Sequence, residues 1–301
     1  METPKGVITM DIYVVKAGDT LSAISQRFGV SMNRLLQSNL QIDNPDMIFA
    51  GDEINIPASE DEIKTPITDT SPSSYRQGEP GADNEYIIPQ LIREFPDTFF
   101  LKGRSGSNRI ALTFDDGPDE KYTPQILAVL KEHNVPATFF LLGINVQKYP
   151  GMVQRISEGN HVIGNHSWSH PDFSTLSKQG IIDEVMKTEK LLHEIVGLRT
   201  SLIRPPYGAV TKSVIEQLRE LDYKIINWSV DSLDWRDNDP KLILDNTLPD
   251  VTEEAILLFH SAGGSSIAAM VEVLPELIAR LHNKGYVFVT VDKLLGVSAY
   301  K

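Results

Sequence analysis

Two adjacent carboxylates, Asp115 and Asp116, lie where a short apolar stretch of the chain stops. The residues before them, 109–114, have the pattern of a strand that is covered on both faces, and Gly117-Pro118 predicts a turn directly after the pair. Two carboxylates this close repel each other, and a bound cation relieves the repulsion. A capping Asp beside a solvated one is the alternative, so the choice depends on the rest of the chain.

Further groups with catalytic or metal-ligating side chains also follow predicted strands. His166 and His170 come after a strand near 161–164, and a helical turn would place both imidazoles on one face. Because parallel α/β folds build their sites at the carboxyl ends of their strands, these loops are expected to converge on one rim. The remaining members are Arg204 after strand 201–204, the segment Asp231 to Trp235 after strand 224–229, and His260 after strand 255–259.

The types of these residues indicate metal chemistry. One carboxylate and two imidazoles form a mixed oxygen and nitrogen ligand set that suits zinc and leaves a position for water. The second carboxylate can then take a proton from that water, with Arg204 to orient it. Asp231 could similarly orient His260 as a protonated acid.

Each of these residues also has a structural interpretation. Arg204 could serve only in a salt bridge, Asp231 as a loop cap and Trp235 as a core aromatic. The other histidines follow no motif and are interpreted as surface or satisfied core residues; they are His133, His161, His193 and His282.

Beyond Arg109, short apolar runs alternate with amphipathic helical patterns, which predicts parallel strands with covering helices. Seven such units favour an α/β fold that is a complete or incomplete (β/α) barrel. An open doubly wound sheet is the alternative, although no Gly-rich nucleotide fingerprint follows the first strand. The predicted strands are 110–114, 137–142, 161–164, 201–204, 224–229, 255–259 and 286–290.

The N-terminal part reads as a separate small unit of the order β-α-α-β. A strand over 12–16 is followed by a helix over 20–28 that Gly29 ends, then by a helix that Ser31 can cap, and by a strand over 53–57. The stretch after it is rich in Ser, Thr, Pro, Gly and acidic residues, a composition typical of a linker. The predicted division is therefore a small domain over 11–58, a linker over 59–89 and a large domain over 90–301.

Composition limits the classes of partner. The net charge of −13 argues against nucleic acid, because proteins that bind phosphate backbones concentrate Lys and Arg. Charged residues interrupt the only apolar candidate in the first thirty residues, so neither a signal peptide nor a membrane span is predicted. The absence of cysteine excludes disulfides and leaves the compartment open.

The small unit resembles a LysM domain. The match runs from Tyr13-Val14-Val15-Lys16-Ala17-Gly18-Asp19-Thr20-Leu21 through Phe28-Gly29-Val30 and Asn39 to Ile54-Asn55-Ile56-Pro57. The resemblance implies binding of polymers that contain N-acetylglucosamine. The binding loops would be the one that contains Gly18, Asp19 and Thr20 and the one before the last strand. A docking module without glycan affinity is the alternative.

The large unit resembles the NodB-type polysaccharide deacetylases of carbohydrate esterase family 4, which implies a distorted β/α barrel. All five motifs of that family occur in order. They are Thr113-Phe114-Asp115-Asp116-Gly117-Pro118, His166-Ser167-Trp168-Ser169-His170, Arg204-Pro205-Pro206-Tyr207-Gly208, Asp231-Ser232-Leu233-Asp234-Trp235 and Leu258-Phe259-His260.

The resemblance also implies a role for each site residue. Asp116, His166 and His170 would bind a divalent metal, with zinc as the default and cobalt, nickel or manganese able to use the same ligands. Asp115 would be the general base, steadied by Arg204, and His260 the general acid, positioned by Asp231. The backbone N–H of Tyr207 would face the oxyanion, and Trp235, Leu258 and Pro206 would contact the substrate.

The predicted protein is thus a metal-dependent hydrolase that removes N-acetyl groups from N-acetylglucosamine-containing polysaccharide. Peptidoglycan is the first choice of polymer and chitin the second. A non-catalytic wall-binding protein and a metal amidase for peptides or small cyclic amides are the alternatives from other classes. The family implies an extracytoplasmic place at a bacterial cell wall or spore.

Overall fold

The structure is a computed structural model that describes residues 11–16, 21–28, 30, 35, 38–39, 42, 51–57, 87–104 and 106–301. The chain divides into two compact units, Met1–Ser73 and Ser74–Lys301. Three sequence predictions lie wholly or largely outside the described residues: the loop with Gly18, Asp19 and Thr20, the helix after Ser31, and the linker over 59–89.

In the first unit, strand β1 (Asp11–Val14) pairs antiparallel with strand β2 (Glu53–Ile56), and helix α1 spans Leu21–Phe28. The N–H of Asn55 donates to the side-chain oxygen of the buried Asn39, and the Asn39 amide donates to the carbonyl of Leu35. One buried amide therefore joins the middle of the unit to strand β2. Its core contains Val15, Leu21, Ile24, Val30, Leu35, Ile54 and Ile56.

The second unit is built on a parallel sheet that curls without closing. The order of its strands is β3-β8-β7-β6-β5-β4-β10-β9, and β11 pairs with the amino end of β4. Since β3 and β9 occupy the two ends of this order, the sheet is a half-barrel, which confirms the predicted incomplete (β/α) barrel. The strands are β3 (Phe99–Phe100), β4 (Arg109–Asp115), β5 (Thr138–Leu141), β6 (Val162–Asn165), β7 (Leu202–Ile203), β8 (Lys224–Ile226), β9 (Val230–Asp231), β10 (Ile256–His260) and β11 (Val287–Phe288).

Helices follow most of the strands and pack on the outer face of the sheet. The longest of them, α6, begins after Ser177, whose hydroxyl accepts the N–H of Gly180, and ends at Gly197 in the left-handed conformation. No helix in the described part of the chain is long and apolar enough to cross a membrane. The helices of this unit are α2 (Ile87–Glu94), α3 (Thr123–Glu132), α4 (Gly143–Lys148), α5 (Pro150–Glu158), α6 (Lys178–Val196), α7 (Lys212–Glu220), α8 (Pro240–Thr247), α9 (Ile267–Asn283) and α10 (Val291–Leu295).

Strand β4 explains how the first carboxylate reaches the inside of the half-barrel. Side chains alternate between the two faces of a strand. Ile110, Leu112 and Phe114 belong to the outer core under the helices, whereas Ala111 belongs to the inner core. The alternation continues to Asp115, which therefore faces inward at the end of the strand.

The single strand predicted over 224–229 is wrong, because the chain forms two short strands, β8 and β9, with a break between them. The break has a physical cause. The carbonyls of Ile226 and Asn227 accept hydrogen bonds from the Arg204 guanidinium instead of from a neighbouring strand. The unpredicted strand β3 covers the outer edge of β8.

Candidate active site

The two adjacent carboxylates point to different neighbours. Asp115 is the last residue of β4 and pairs in register with His260, the last residue of β10. Asp116 has a φ of 66°, so the backbone turns into the left-handed region directly after the strand. This turn separates the two side chains, which leaves Asp115 buried against Arg204 and brings Asp116 beside the two histidines of the next loop.

The three predicted metal ligands lie together. The Oδ1 atom of Asp116 is 3.5 Å from the Nε2 atoms of both His166 and His170, and the three side chains form a group able to hold a metal ion. Nδ1 of His166 lies 2.7 Å from the carbonyl of Arg204, which assigns the proton to Nδ1 and leaves Nε2 with a free lone pair.

The geometry fits a small tetrahedral cation. Within the described part of the chain, Oδ1 of Asp116 is buried and accepts no hydrogen bond. Buried polar atoms are almost always bonded, so an orphaned carboxylate oxygen facing two imidazole nitrogens requires a partner. Two ligands at about 2.0–2.1 Å from a tetrahedral zinc ion lie about 3.3–3.4 Å apart, close to the observed separations.

Electrostatics at these ligands also favour a cation. Burial lowers the pKa of His170 to about 4, and the neighbouring His166 contributes in the same direction, so His170 is neutral and free to coordinate. Burial opposes charge on His166 and Asp116 as well. The effect of burial is smaller than the attraction between the His166 imidazole and the carboxylates of Asp115 and Asp116. This attraction raises the pKa of His166 and lowers the pKa of Asp116. Proton and metal therefore compete for the same nitrogen.

Arg204 fixes the orientation of Asp115. The guanidinium is fully buried and donates from Nη1 to Oδ1 of Asp115 at 2.7 Å and to the hydroxyl of Thr113 at 2.9 Å. It also lies over the ring of Phe140, 4.4 Å from its centroid. Because Arg204 occupies Oδ1, the other oxygen, Oδ2, faces the metal ligands, 3.7 Å from Nε2 of His166.

The predicted partner of His260 is wrong: Asp234, not Asp231, holds this imidazole. Oδ1 of Asp234 lies 2.7 Å from Nδ1 of His260, and Oδ2 accepts the backbone N–H of His260 at 2.8 Å. Burial lowers the pKa of His260, but the Asp234 carboxylate outweighs it and raises the pKa to about 10. His260 is thus a cation whose Nε2 is its remaining donor.

Asp231 has a different environment. It ends β9, its Oδ1 accepts the N–H of Leu233, and burial raises its pKa to about 6. Asp231 and Asp234 have different partners because of the loop between them. Leu233 adopts a left-handed φ of 56°, and after this turn the Asp234 side chain lies beside His260 at the end of β10. The sequence does contain a signal for Asp234, because it is the second acid of the Asp-x-x-Asp-Trp motif and either acid of that motif could bond His260.

Tyr207, whose backbone N–H is predicted to face the oxyanion, and the residues predicted to contact the substrate occupy different depths of the site. Tyr207 and Trp235 are about half exposed, and the Tyr207 ring lies 4.5 Å from that of His170. Leu258 is buried in β10, two residues before His260 and so on the same face of the strand. Pro206 is buried in the short turn after β7. Tyr207 and Trp235 are therefore the members of this set that offer large exposed rings.

His161 is one of the four histidines interpreted as surface or satisfied core residues, and the structure places it in the core. His161 is buried and accepts the N–H of Ala137 through Nδ1. Burial lowers its pKa to about 4, so it is neutral and lies outside the group of ligands.

Two family models match the chain. The model described as polysaccharide deacetylase covers residues 102–226, and the LysM domain model covers residues 13–57. The matches fall on the half-barrel and on the small N-terminal unit.

Curated relatives are 35–38% identical to the chain over the aligned residues. The peptidoglycan-N-acetylglucosamine deacetylase of Bacillus cereus is 38% identical over 200 residues, 66% of this chain and 73% of the relative. The peptidoglycan-N-acetylmuramic acid deacetylase PdaA of Bacillus subtilis is 35% identical over 69% of this chain and 78% of its own length. PgdA of Listeria monocytogenes, a peptidoglycan-N-acetylglucosamine deacetylase, is 35% identical over 86% of this chain, which spans about half (51%) of PgdA.

Solved structures show the same half-barrel. A crystal structure of a peptidoglycan N-acetylglucosamine deacetylase superposes with a TM-score of 0.68 at 36% identity, covering 70% of this chain and all of the other. The chitin deacetylase of the fungus Colletotrichum lindemuthianum superposes with a TM-score of 0.61 at 30% identity, covering 68% of this chain and 95% of its own.

Proposed function

Because the chain belongs to the polysaccharide deacetylases of carbohydrate esterase family 4, we propose that it hydrolyses the acetamide of N-acetylated sugars in peptidoglycan. The observation that carries the proposal is the group formed by Asp116, His166 and His170, with its orphaned carboxylate oxygen. Asp115 and His260 flank this group, each held by a charged partner of its own.

The enzyme depends on a divalent metal, which Asp116, His166 and His170 would hold; zinc suits their donor set best. When bound, such a metal acidifies water and polarises the acetyl carbonyl. Two neutral imidazoles and one carboxylate leave the ion with net positive charge, which favours both effects.

Asp115 is proposed as the general base. Its Oδ1 accepts the hydrogen bond from Arg204, so the proton of the attacking water goes to Oδ2, the oxygen that faces the ligands. The buried guanidinium keeps this carboxylate in one orientation. Arg204 is a positioning residue in this scheme, since its guanidinium donates hydrogen bonds to Asp115, Thr113 and two backbone carbonyls.

His260 is proposed as the general acid. Its Nδ1–H is bonded to Asp234, so the proton on Nε2 is available to the sugar nitrogen when the carbon–nitrogen bond breaks. Acetate and a free amine are then the products. The backbone N–H of Tyr207 is the proposed donor to the oxyanion, from the turn that follows Arg204.

The polymer is proposed to be peptidoglycan because the curated relatives above act on it. Some of these relatives deacetylate N-acetylglucosamine and others N-acetylmuramic acid. The exposed rings of Tyr207 and Trp235 supply apolar surfaces on which a sugar can stack. Chitin is the second candidate, since the fungal chitin deacetylase has the same half-barrel.

The domain division proposed from the sequence gives the enzyme a wall anchor. A LysM domain over 11–58 would hold the glycan while a linker over 59–89 allows the deacetylase over 90–301 to reach nearby acetyl groups. The family match over 13–57 supports the first part of this division. An extracytoplasmic place at a bacterial wall or spore follows from the proposed substrate.

The test is acetate release by purified protein from peptidoglycan and from chitin oligomers, with metal-stripped and zinc-restored samples side by side. We expect zinc-dependent release from peptidoglycan, and mass spectrometry of the digested muropeptides would identify the deacetylated sugar. The Asp183→Asn variant is a suitable control, because this exposed carboxylate bonds Gln179 on the outside of α6.

Release from chitin oligomers alone would change the substrate to chitin. No release from either polymer by protein with zinc bound would contradict the deacetylase and favour a wall-binding protein.

A further inference from the structure

The loop that connects the two histidine ligands has an unusual backbone. Ser167 and His170 both have positive φ values, 73° and 64°, although neither is glycine. Such conformations persist only where surrounding contacts determine them. The segment from His166 to His170 must therefore be held from outside if its two imidazoles are to face the same ion.

After His166, the N–H groups of this loop are bonded to side chains. The N–H of Ser167 donates to Oδ1 of Asn165 at 2.9 Å, and that of His170 donates to the hydroxyl of Ser167 at 3.0 Å. These two acceptors belong to the loop or its immediate neighbour, so they shape the turn without anchoring it to another element.

Glu184 on helix α6 supplies the acceptor for the two middle residues. Its Oε2 accepts the N–H groups of Trp168 at 2.9 Å and Ser169 at 2.8 Å, and its Oε1 accepts the Ser169 hydroxyl at 2.8 Å. One carboxylate thus takes three hydrogen bonds from residues that lie between the metal ligands. Consecutive N–H groups that converge on an anion form a strong backbone contact.

Two carbonyl groups of the loop accept hydrogen bonds from helix α4. The carbonyl of Ser167 accepts the N–H of Gly143, and the carbonyl of Trp168 accepts the N–H of Ile144, both at 3.0 Å. The carbonyls are therefore bonded to the start of α4 and the N–H groups to α6. None of these contacts uses Nε2 of a histidine, so all of them are compatible with metal binding.

We propose that Glu184 is a positioning residue for the metal centre, which fixes the backbone between His166 and His170 and thereby the separation of their two Nε2 atoms. The inference rests on the proposed function, because it assigns Glu184 to the metal site of the deacetylase. Glu184 lies outside the five sequence motifs of the family, and its side chain bonds Trp168 and Ser169 rather than either histidine.

Helix α6 is a rigid base for this carboxylate. The helix has nineteen residues with capped ends, and the side chain of Asn165 donates to the carbonyl of Val185 on the same helix at 2.9 Å. The end of β6 and the middle of the histidine loop are thus bonded to adjacent residues of α6. A displacement of Glu184 relative to β6 would require the helix itself to move.

The test is a titration of metal-free protein with Zn²⁺ against a competing chelator, for wild type, Glu184→Ala, Glu184→Gln and Asp183→Ala. We expect Glu184→Ala to raise the zinc Kd by about 10-fold to 100-fold, the range typical of residues that orient ligands. Glu184→Gln should stay within about threefold of wild type, because its amide oxygen can accept both N–H groups and its NH₂ can donate to the Ser169 hydroxyl. Asp183→Ala, at the exposed neighbouring position, should leave the Kd unchanged.

Cobalt substitution gives a second readout. The visible absorption band of Co²⁺ reports ligand geometry, and we expect it to change in Glu184→Ala and to be preserved in Glu184→Gln. A role confined to general stability would lower the Tm of Glu184→Ala without altering the Kd or this band in the folded protein.

The outcomes separate the inference from the function it rests on. If wild type binds no metal, the proposed function fails. If wild type binds zinc and Glu184→Ala binds it equally well, the positioning role is contradicted while the deacetylase stands. Equal weakening by Glu184→Gln and Glu184→Ala would also overturn positioning by hydrogen bonds.

Amide hydrogen exchange covers the case in which Glu184→Ala does not fold. In metal-free wild type, the N–H groups of Trp168 and Ser169 should exchange slowly, because Glu184 bonds them independently of the ion. Exchange of both at the rate of an unprotected peptide would contradict the proposal.

Discussion

At the residue scale, Asp115 and Asp116 are chemically identical neighbours with different environments. Asp115 continues the inward face of β4 and bonds the buried Arg204, whereas Asp116 itself adopts the left-handed conformation and points an unbonded oxygen at two imidazoles. A carboxylate held by a cation can serve as a base, and one facing two imidazole nitrogens can serve as a ligand beside them. Adjacent acids can therefore divide catalysis and metal binding between them.

The first prediction tests that division. Asp115→Asn should retain zinc affinity within a few-fold, because Asp115 is not among the three ligands and the Asn oxygen can still accept the bond from Arg204. Turnover should fall by roughly 10² to 10⁴, the usual contribution of a general base. Acetate release and zinc titration on the same preparation measure both. Asp116→Asn should instead lose zinc affinity, because it removes a ligand. Substantial turnover in Asp115→Asn would exclude Asp115 as the base.

The second prediction concerns the acid. His260 must be protonated to donate, so activity is lost as the pH rises through its pKa, which Asp234 raises to about 10. Replacing Asp234 with Asn removes the raising charge and leaves the effect of burial, so the pKa falls. The alkaline limb of the pH profile of kcat/KM should therefore move to lower pH.

Asp231→Asn is the matched comparison for Asp234→Asn. Asp231 bonds the N–H of Leu233, while Nδ1 of His260 is bonded to Asp234, so the alkaline limb should move much less. A larger shift in Asp231→Asn than in Asp234→Asn would restore the assignment made from the sequence.

At the element scale, helices α4 and α6 enclose the histidine loop. Gly143 begins α4, and a Cβ at this position would collide with the Trp168 indole and the Thr188 hydroxyl. The absence of a side chain at Gly143 thus allows the loop to approach α4 closely enough for the N–H groups of α4 to reach its carbonyls.

The third prediction follows from this contact. Gly143→Ala should displace Trp168, cost about 1–3 kcal/mol of unfolding free energy and weaken zinc binding. Denaturant unfolding and zinc titration measure the two effects. Gly151→Ala, in the first turn of α5 with open space around the new Cβ, should leave both unchanged. Unaltered stability and zinc affinity in Gly143→Ala would show that Trp168 can move without disturbing the ligands.

At the scale of the whole molecule, the chain combines a small unit that matches the LysM family model with a half-barrel that contains every described site residue. Tethering raises the local concentration of a polymer at a catalytic site without changing the site itself. The small unit should therefore increase activity on an insoluble polymer with many binding sites and have no effect on short oligomers.

The fourth prediction compares the full chain with a variant that begins at Ile87. Acetate release from a soluble chitin tetramer should be unchanged, and release from insoluble peptidoglycan should fall by on the order of 10²-fold at low enzyme concentration. Pelleting with peptidoglycan measures the loss of binding directly. Equal activity of both proteins on the insoluble polymer would contradict a glycan-binding role for the small unit.

The sequence by itself determined most strands of the half-barrel and the set of chemically capable residues. Apolar runs are local signals, so the strands that became β4, β6 and β10 could be predicted to within one residue at each end. Alternating strands and helices fixed the parallel sheet, and the parallel sheet placed Asp116, His166 and His170 at one rim. The shared location of the two imidazoles and their carboxylate partner could therefore be predicted from the order of the strands along the chain.

The tertiary structure alone decided which charged groups meet. The choice of Asp234 over Asp231 depends on a left-handed residue in the intervening loop, and the break between β8 and β9 depends on a guanidinium that arrives from another strand. Glu184 contacts the histidine loop because α6 folds back across it. Such pairings join residues that are distant in the chain or separated by an irregular turn, and hydrogen bonds depend on distances of a few ångströms that residue order does not specify.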